Sequence, residues 1–192
     1  MKVLVACEYS GRVRDAFIAA GHDAMSCDTL PSEATGPHYE GDVRDVLGDG
    51  WDLMIAHPPC TYLTIAAEWA YKEEQTKKIR PGTLIGAARK KAREQAIEFV
   101  LTLANAPIDR IAIENPVGVL SSVWREPDQF IQPYEYGDDA SKKTCLWLKN
   151  LPRLTPTAFA PPPSRTLRRL PKLLAAVGQP DGQRPEQRAA VR

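Results

Sequence analysis

Five consecutive apolar residues, Val3-Leu4-Val5-Ala6-Cys7, open the chain, and Gly11 comes four residues later. An apolar run without alternation, rich in valine, predicts a strand covered on both faces. Covering both faces of a sheet takes helices on either side, which confines such a chain to an α/β architecture. The helix on offer comes next: Val13, Ala16, Phe17 and Ala20 recur at helical spacing, and Gly21 closes the segment. Residues 22–28 then form a second strand that ends in the acidic Asp28. Strand, glycine turn, helix and strand make one unit of a Rossmann-like parallel sheet.

The same alternation continues. Residues 51–56 (WDLMIA) predict another buried strand, stopped abruptly by His57-Pro58-Pro59-Cys60 because proline cannot donate to a ladder. Residues 61–82 are polar and basic without a period and predict a long loop, a length that compact domains reserve for function or disorder. A helix is expected over 84–104, with Ile85, Ala88, Ala92, Ala96, Phe99, Val100 and Leu103 on one stripe. A strand at 110–113 runs into Glu114-Asn115-Pro116, and residues 131–136 and 144–149 predict an antiparallel strand pair. From 152 onward the composition changes, with 8 of the 17 prolines in residues 152–185. The expected organisation is one three-layer α/β domain over 1–151, its sheet mostly parallel. A Pro-rich basic tail is expected over 152–192, partly disordered, with a short helix near 167–177.

Composition narrows the class. No apolar stretch reaches the roughly 18 residues a membrane span requires, and the amino terminus has no apolar core of a secretory signal. Cys7, Cys27, Cys60 and Cys145 are far apart with no CxxC pair, so neither a zinc ribbon nor a redox dithiol is expected, and no metal. These features predict a cytoplasmic protein with free thiols. The formal net charge of +1 hides an uneven distribution: residues 164–192 hold seven Lys/Arg against two Asp/Glu, and residues 72–93 hold eight against two. Local basic segments of this kind suit an anionic partner.

Ligands of open α/β sheets bind beyond the carboxyl ends of the strands. Those ends here carry Glu8-Tyr9-Ser10-Gly11, Asp28, Asp42 in Gly41-Asp42-Val43, Pro58-Pro59-Cys60 and Glu114-Asn115-Pro116. An acid at the end of the second strand is how such folds read ribose hydroxyls, which singles out Asp28. Pro-Pro-Cys after one strand and Glu-Asn after the next, in the order glycine turn, acidic strand end, Gly-Asp, Pro-Pro-Cys, long loop, basic helix, Glu-Asn, resembles the DNA cytosine-C5 methyltransferase family over roughly residues 2–150. The resemblance is to its compact, phage-type members, which lack a target-recognition domain. It implies a Rossmann-like S-adenosylmethionine-dependent methyltransferase fold and transfer of a methyl group to C5 of cytosine in DNA.

By that resemblance Cys60 is the nucleophile that adds to C6, Glu114 bonds N3 of the base, and Asn115 holds the two in place. S-adenosylmethionine would be held by Glu8, Tyr9, Ser10, Gly11 and Pro58, with Asp28 on its ribose and Asp42 on its adenine amine. The target cytosine would be flipped out of the duplex or already single-stranded. Lys77, Lys78, Arg80 and Arg89 would track the phosphates, Lys142 and Lys143 would approach the base, and a partner could supply specificity. An amino-methyltransferase would need an amine acceptor and an aromatic flanking the two prolines, where this chain has His57 and Cys60. The same chemistry on RNA or a free pyrimidine nucleotide, or an inactive DNA-binding relative, are the other readings.

Overall fold

The computed structural model describes residues 1–73 and 79–158. It contains a seven-stranded sheet of order β3-β2-β1-β4-β5-β7-β6. The strands are β1 (Lys2–Ala6), β2 (Asp23–Asp28), β3 (His38–Glu40), β4 (Leu53–Ala56), β5 (Arg110–Pro116), β6 (Gln129–Ile131) and β7 (Thr144–Lys149). The first five run parallel, and β7 lies antiparallel between β5 and β6. The expected fold class is therefore present: a mostly parallel α/β sheet with an antiparallel pair near its C-terminal end.

The opening run behaves as its composition requires. Val3, Leu4, Val5 and Ala6 are all fully buried, and alternate side chains enter different layers. Val3 and Val5 pack with Ala24 and Leu53 under Val13 and Phe17 of helix α1 (Arg12–Ala19). Leu4 and Ala6 pack with Met54, Ile111 and Ile113 under Val100 and Leu103 of helix α2 (Gly86–Ala104). Each fully buried Val, Leu, Ile or Met side chain of this set contributes about 1.5–3 kcal/mol.

The ends of α1 are set by short-range chemistry. Gly11 occupies the N-cap with φ 76° and has no side chain to offer. Glu8 supplies the cap instead, its carboxylate accepting from Val13 N–H at 2.7 Å and Arg14 N–H at 3.3 Å. At the other end Gly21 N–H reaches Ile18 O and His22 N–H reaches Phe17 O, the paired bonds of a Schellman motif.

Strand β3 has no signature in the residue pattern, and neither has the group that holds it. Between β2 and β3 there is a loop, not a helix, and Arg14 of α1 organises it while fully buried. Its guanidinium donates to Asp15 Oδ1, to Ser26 Oγ and Ser32 Oγ, and to the carbonyls of Ala34 and Thr35, at 2.8–3.3 Å.

Three expectations change. The strand expected at 131–136 is extended only over Gln129–Ile131. Pro133 then starts a 3₁₀ turn to Tyr136, locked by a reciprocal capping pair of Gln132 and Glu135. The expected loop contains a 3₁₀ turn at Glu68–Tyr71, and a four-residue helix α3 (Leu120–Val123) comes after β5. In α2 the inward stripe holds only in the C-terminal half; Ala88 is exposed, and Arg89 is buried in its place. The chain leaving β7 returns along β6, where Leu154 and Gln129 exchange two hydrogen bonds, and it reaches Glu135 O through Thr157 and Ala158. The short helix expected near 167–177 lies outside the described residues, as does most of the tail. No helix of the described residues is long and apolar enough to cross a membrane.

Candidate active site

Parallel register brings the strand ends into one row. Ala6 stands opposite Cys27 on one side and Ala56 on the other, and Ala56 stands opposite Ile113. The next residues along each strand (Cys7-Glu8, Asp28, His57-Pro58-Pro59-Cys60 and Glu114-Asn115) therefore gather at one edge of the sheet. Because β7 runs antiparallel with Thr144 paired to Pro116, Lys142 and Lys143 enter from that same edge.

The Pro-Pro-Cys segment and the Glu-Asn segment are tied directly. Buried Asn115 donates from Nδ2 to Pro58 O at 2.8 Å. Past Cys60 the chain turns back on itself, with Leu63 N–H and Thr64 N–H both reaching Cys60 O. It then bridges the segment after β5, where Val119 N–H donates to Leu63 O at 2.8 Å and Thr64 pairs with Gly118. A Cβ at Gly118 would lie 2.1 Å from Leu63 O, so only glycine permits this approach. Cys60 and Glu114 are thus carried on segments held by one clamp, and both are partly exposed.

Beside Glu114 stands a residue to which the sequence assigned no role. His57 Nδ1 is 3.4 Å from Glu114 Oε2, while His57 Nε2 is buried without a partner among the described residues.

Two cavities share Cys7 as a wall. One, of about 230 Å³, is lined by Cys7, Asp28, Asp42, Arg44, Pro59 and Phe99 among others. The second, of about 310 Å³, is lined by Cys7, Glu8, Tyr9, Ser10, Arg12, Val13 and His57. The expected cofactor residues therefore fall on these walls, with two differences. Pro59 and not Pro58 faces the first cavity, since Pro58 is buried with its carbonyl taken by Asn115. Gly11 shapes the turn behind the second cavity, where its missing Cβ makes room for the Arg14 guanidinium.

Asp42 is already engaged. Arg44 donates to it from both its backbone and its guanidinium, and those bonds hold the Asp42 carboxyl below its usual range. Arg44 also lies over the Phe99 ring.

The basic residues separate into distinct groups. Arg80, Lys142 and Lys143 are exposed, with Lys143 Nζ 3.9 Å from the centre of the Phe130 ring. Lys77 and Lys78 lie outside the described residues. Arg89 does not face phosphate: it is 5% exposed, donates to Leu84 O and Thr61 O, and lies over the rings of Tyr62 and Tyr71. Arg93 repeats the pattern on Tyr62 O, Thr64 O and Tyr71. These two arginines fasten the Cys60 loop to α2, a role visible only once tyrosines distant in sequence are brought alongside.

The four thiols differ sharply. Burial, with the nearby Asp28 charge as the second cause, pushes Cys7 up to about 12, and Cys27 behaves alike for the same two reasons. Cys27 and Cys145 have no exposed surface, whereas Cys7 and Cys60 are both partly exposed, Cys7 with its thiol pushed up by burial. Brief iodoacetamide treatment of the native protein at mildly alkaline pH is expected to alkylate Cys60 first, because the reaction needs an accessible thiolate. Peptide mass spectrometry checks this; prior labelling of Cys7 would contradict the assignment. Among the described residues no group of three or more His, Cys, Asp or Glu is arranged to hold a metal ion.

No family model and no curated protein matches the chain. Among solved structures it is similar to a protein named as a DNA modification methyltransferase encoded within a prophage of E. coli, with TM-score 0.45 and 13% identity. That similarity covers 77% of this chain and 46% of the other, so the chain spans less than half of that protein's length.

Proposed function

We propose that the chain transfers a methyl group from S-adenosylmethionine to C5 of cytosine in DNA through a covalent adduct of Cys60 at C6. The observation that carries this reading is the clamp: the segment after β4 that carries Cys60 and the end of β5 that carries Glu114 belong to adjacent parallel strands and are joined by the 2.8 Å bond from Asn115 to Pro58 O. A thiol and a carboxyl carried on two segments tied to each other suit a reaction in which one group attacks a ring and the other manages the charge that results.

The α1 terminus favours one class of cofactor over another. A dinucleotide would place its pyrophosphate on the free N–H groups there. Glu8 already fills that position with a carboxylate, which repels phosphate and favours a cationic head. The amine and sulfonium of S-adenosylmethionine meet that requirement, and Glu8, Tyr9 and Ser10 would hold this end. Asp28 would take the ribose hydroxyls, with Asp42, Arg44 and Phe99 around the adenine. When bound, S-adenosylmethionine supplies an electrophilic methyl group.

The residues of the chain supply the rest. The Cys60 thiolate adds to C6, and the electron pair released into the ring is accommodated by a proton delivered to N3 from Glu114. This leaves C5 electron-rich. After methylation C5 gives its proton to solvent water, its C–H electron pair restores the C5–C6 double bond as the C6–S bond breaks, Cys60 recovers its electron pair as thiolate, and N3 returns its proton to Glu114. Asn115 keeps the nucleophile and the carboxyl in register throughout. The exposed Arg80, Lys142 and Lys143, with Lys77 and Lys78, would meet phosphates. Reaching the base requires that it be flipped or unpaired.

Nucleoside mass spectrometry of DNA and RNA from an expressing host without C5 methylation of its own tests the proposal. 5-Methylcytosine in DNA is the expected result. A signal confined to RNA would keep the chemistry and replace the substrate, and no signal in either pool from soluble protein would overturn the reading.

A further inference from the structure

We propose that His57 and Glu114 hold one proton between them, and that His57 is the positioning residue that keeps this proton available to the base at neutral pH. The inference deepens the function proposed above and rests on it for the identity of the base. His57 Nδ1 and Glu114 Oε2 are 3.4 Å apart, on the ends of paired strands. The backbone of His57 is fixed by its N–H bond to Ala6 O, and that of Glu114 by its place inside β5. His57 Nε2 is buried and has no partner among the described residues, so the ring exchanges protons through Nδ1, the nitrogen that faces Glu114.

An isolated carboxyl group, with a pKa of about 4.3, is empty of protons near neutrality, whereas an imidazole of about 6.5 is not. A carboxylate in contact with an imidazole therefore has a proton source where a lone one has none. The pair can donate without any outside acid. As the Cys60 thiolate adds to C6, the proton of the pair moves to N3 and leaves a neutral imidazole beside a carboxylate. When the C6–S bond breaks, N3 returns the proton to the pair.

The other titratable and charged groups around His57 are Cys7, Glu8, Tyr9 and Arg12, which share its cavity, and Cys60 in its own loop. Glu8 is committed to the N–H groups of α1 and Cys7 stays protonated, which leaves Glu114 as the carboxylate in contact with the ring.

Two measurements test the pair. In NMR titration of histidine-labelled protein, the His57 midpoint is expected to fall by about one unit or more in Glu114→Gln, since removing an adjacent carboxylate destabilises imidazolium. His22 and His38 should not move, and a His57→Gln sample assigns the signals. An unchanged His57 midpoint overturns the proposal, and this arm requires no catalytic activity. In the second arm, His57→Gln is expected to lower kcat at neutral pH roughly 10- to 100-fold with KM unchanged, and to move the alkaline limb of the rate profile to lower pH. Added imidazole should restore part of the rate in His57→Ala. Loss of rate with an unshifted profile and no rescue would reduce His57 to packing and overturn the proposal. If the wild type methylates nothing, the proposed function has failed, and the titration alone decides whether the proton is shared.

Discussion

Replacing Cys60 with serine is expected to lower methyl transfer to DNA by on the order of 10⁴-fold or more, with the fold intact. C5 of cytosine does not attack a methyl donor until a nucleophile has added at C6. A free thiol, with a pKa of about 8.5, provides a usable fraction of thiolate near neutrality, and a hydroxyl does not. The backbone around Cys60 does not depend on its sulfur, because the turn is closed by Leu63 and Thr64 N–H groups on Cys60 O. Stability should therefore change by less than about 0.5 kcal/mol, as at other partly exposed positions. Glu114→Gln should be milder, roughly 10²- to 10⁴-fold, because the adduct can still form against a less favourable charge. Both are read as incorporation of labelled methyl groups, with thermal unfolding run beside them. Turnover of Cys60→Ser within tenfold of wild type would exclude the covalent route and favour direct attack by an exocyclic amine.

The strands that line the site were legible because their burial leaves a local record. Val3 to Cys7, Leu53 to Ala56 and Ile111 to Ile113 are short apolar runs, the record that a strand buried within a sheet leaves. The residues just past those strands were legible too, since the sheet alone dictates which side chains crowd its carboxyl edge. The features with no local record depend on partners far away in sequence. His38-Tyr39-Glu40 is three polar residues at an edge, and it pairs with β2 because Arg14 gathers the loop before it. Arg89 resembles any solvated arginine of a basic helix until Tyr62 and Tyr71 enclose it. His57 and Glu114 are separated by 57 positions, and no periodicity connects them. Arg44 is silent for a different reason: its bond to Asp42 is local, but nothing in the spacing distinguishes it from an exposed arginine.

Arg14 is where a residue remote from the chemistry should matter most for the fold. Arg14→Ala would leave Ser26 Oγ, Ser32 Oγ and the carbonyls of Ala34 and Thr35 without the donor they now share. Removing one member of a buried charged network costs about 3–5 kcal/mol, against a total stability of about 5–15 kcal/mol for a domain. At about 2–4 °C per kcal/mol for a chain of this size, the thermal midpoint should fall by roughly 6–20 °C. Arg14→Lys should recover only a minor part, because an ammonium on a flexible stem cannot serve these acceptors together as the planar fork does. Circular dichroism melts decide between these outcomes, and a midpoint within about 2 °C of wild type would mean that the loop is held by something else. The loop that Arg14 anchors joins the end of β2 to β3, and it therefore carries Asp28 and, one strand later, Asp42 to the cavity wall. Arg14→Lys, if it remains folded at assay temperature, should accordingly bind S-adenosylmethionine more weakly in calorimetry, while Cys60, anchored through β4 and β5, keeps its reactivity toward iodoacetamide.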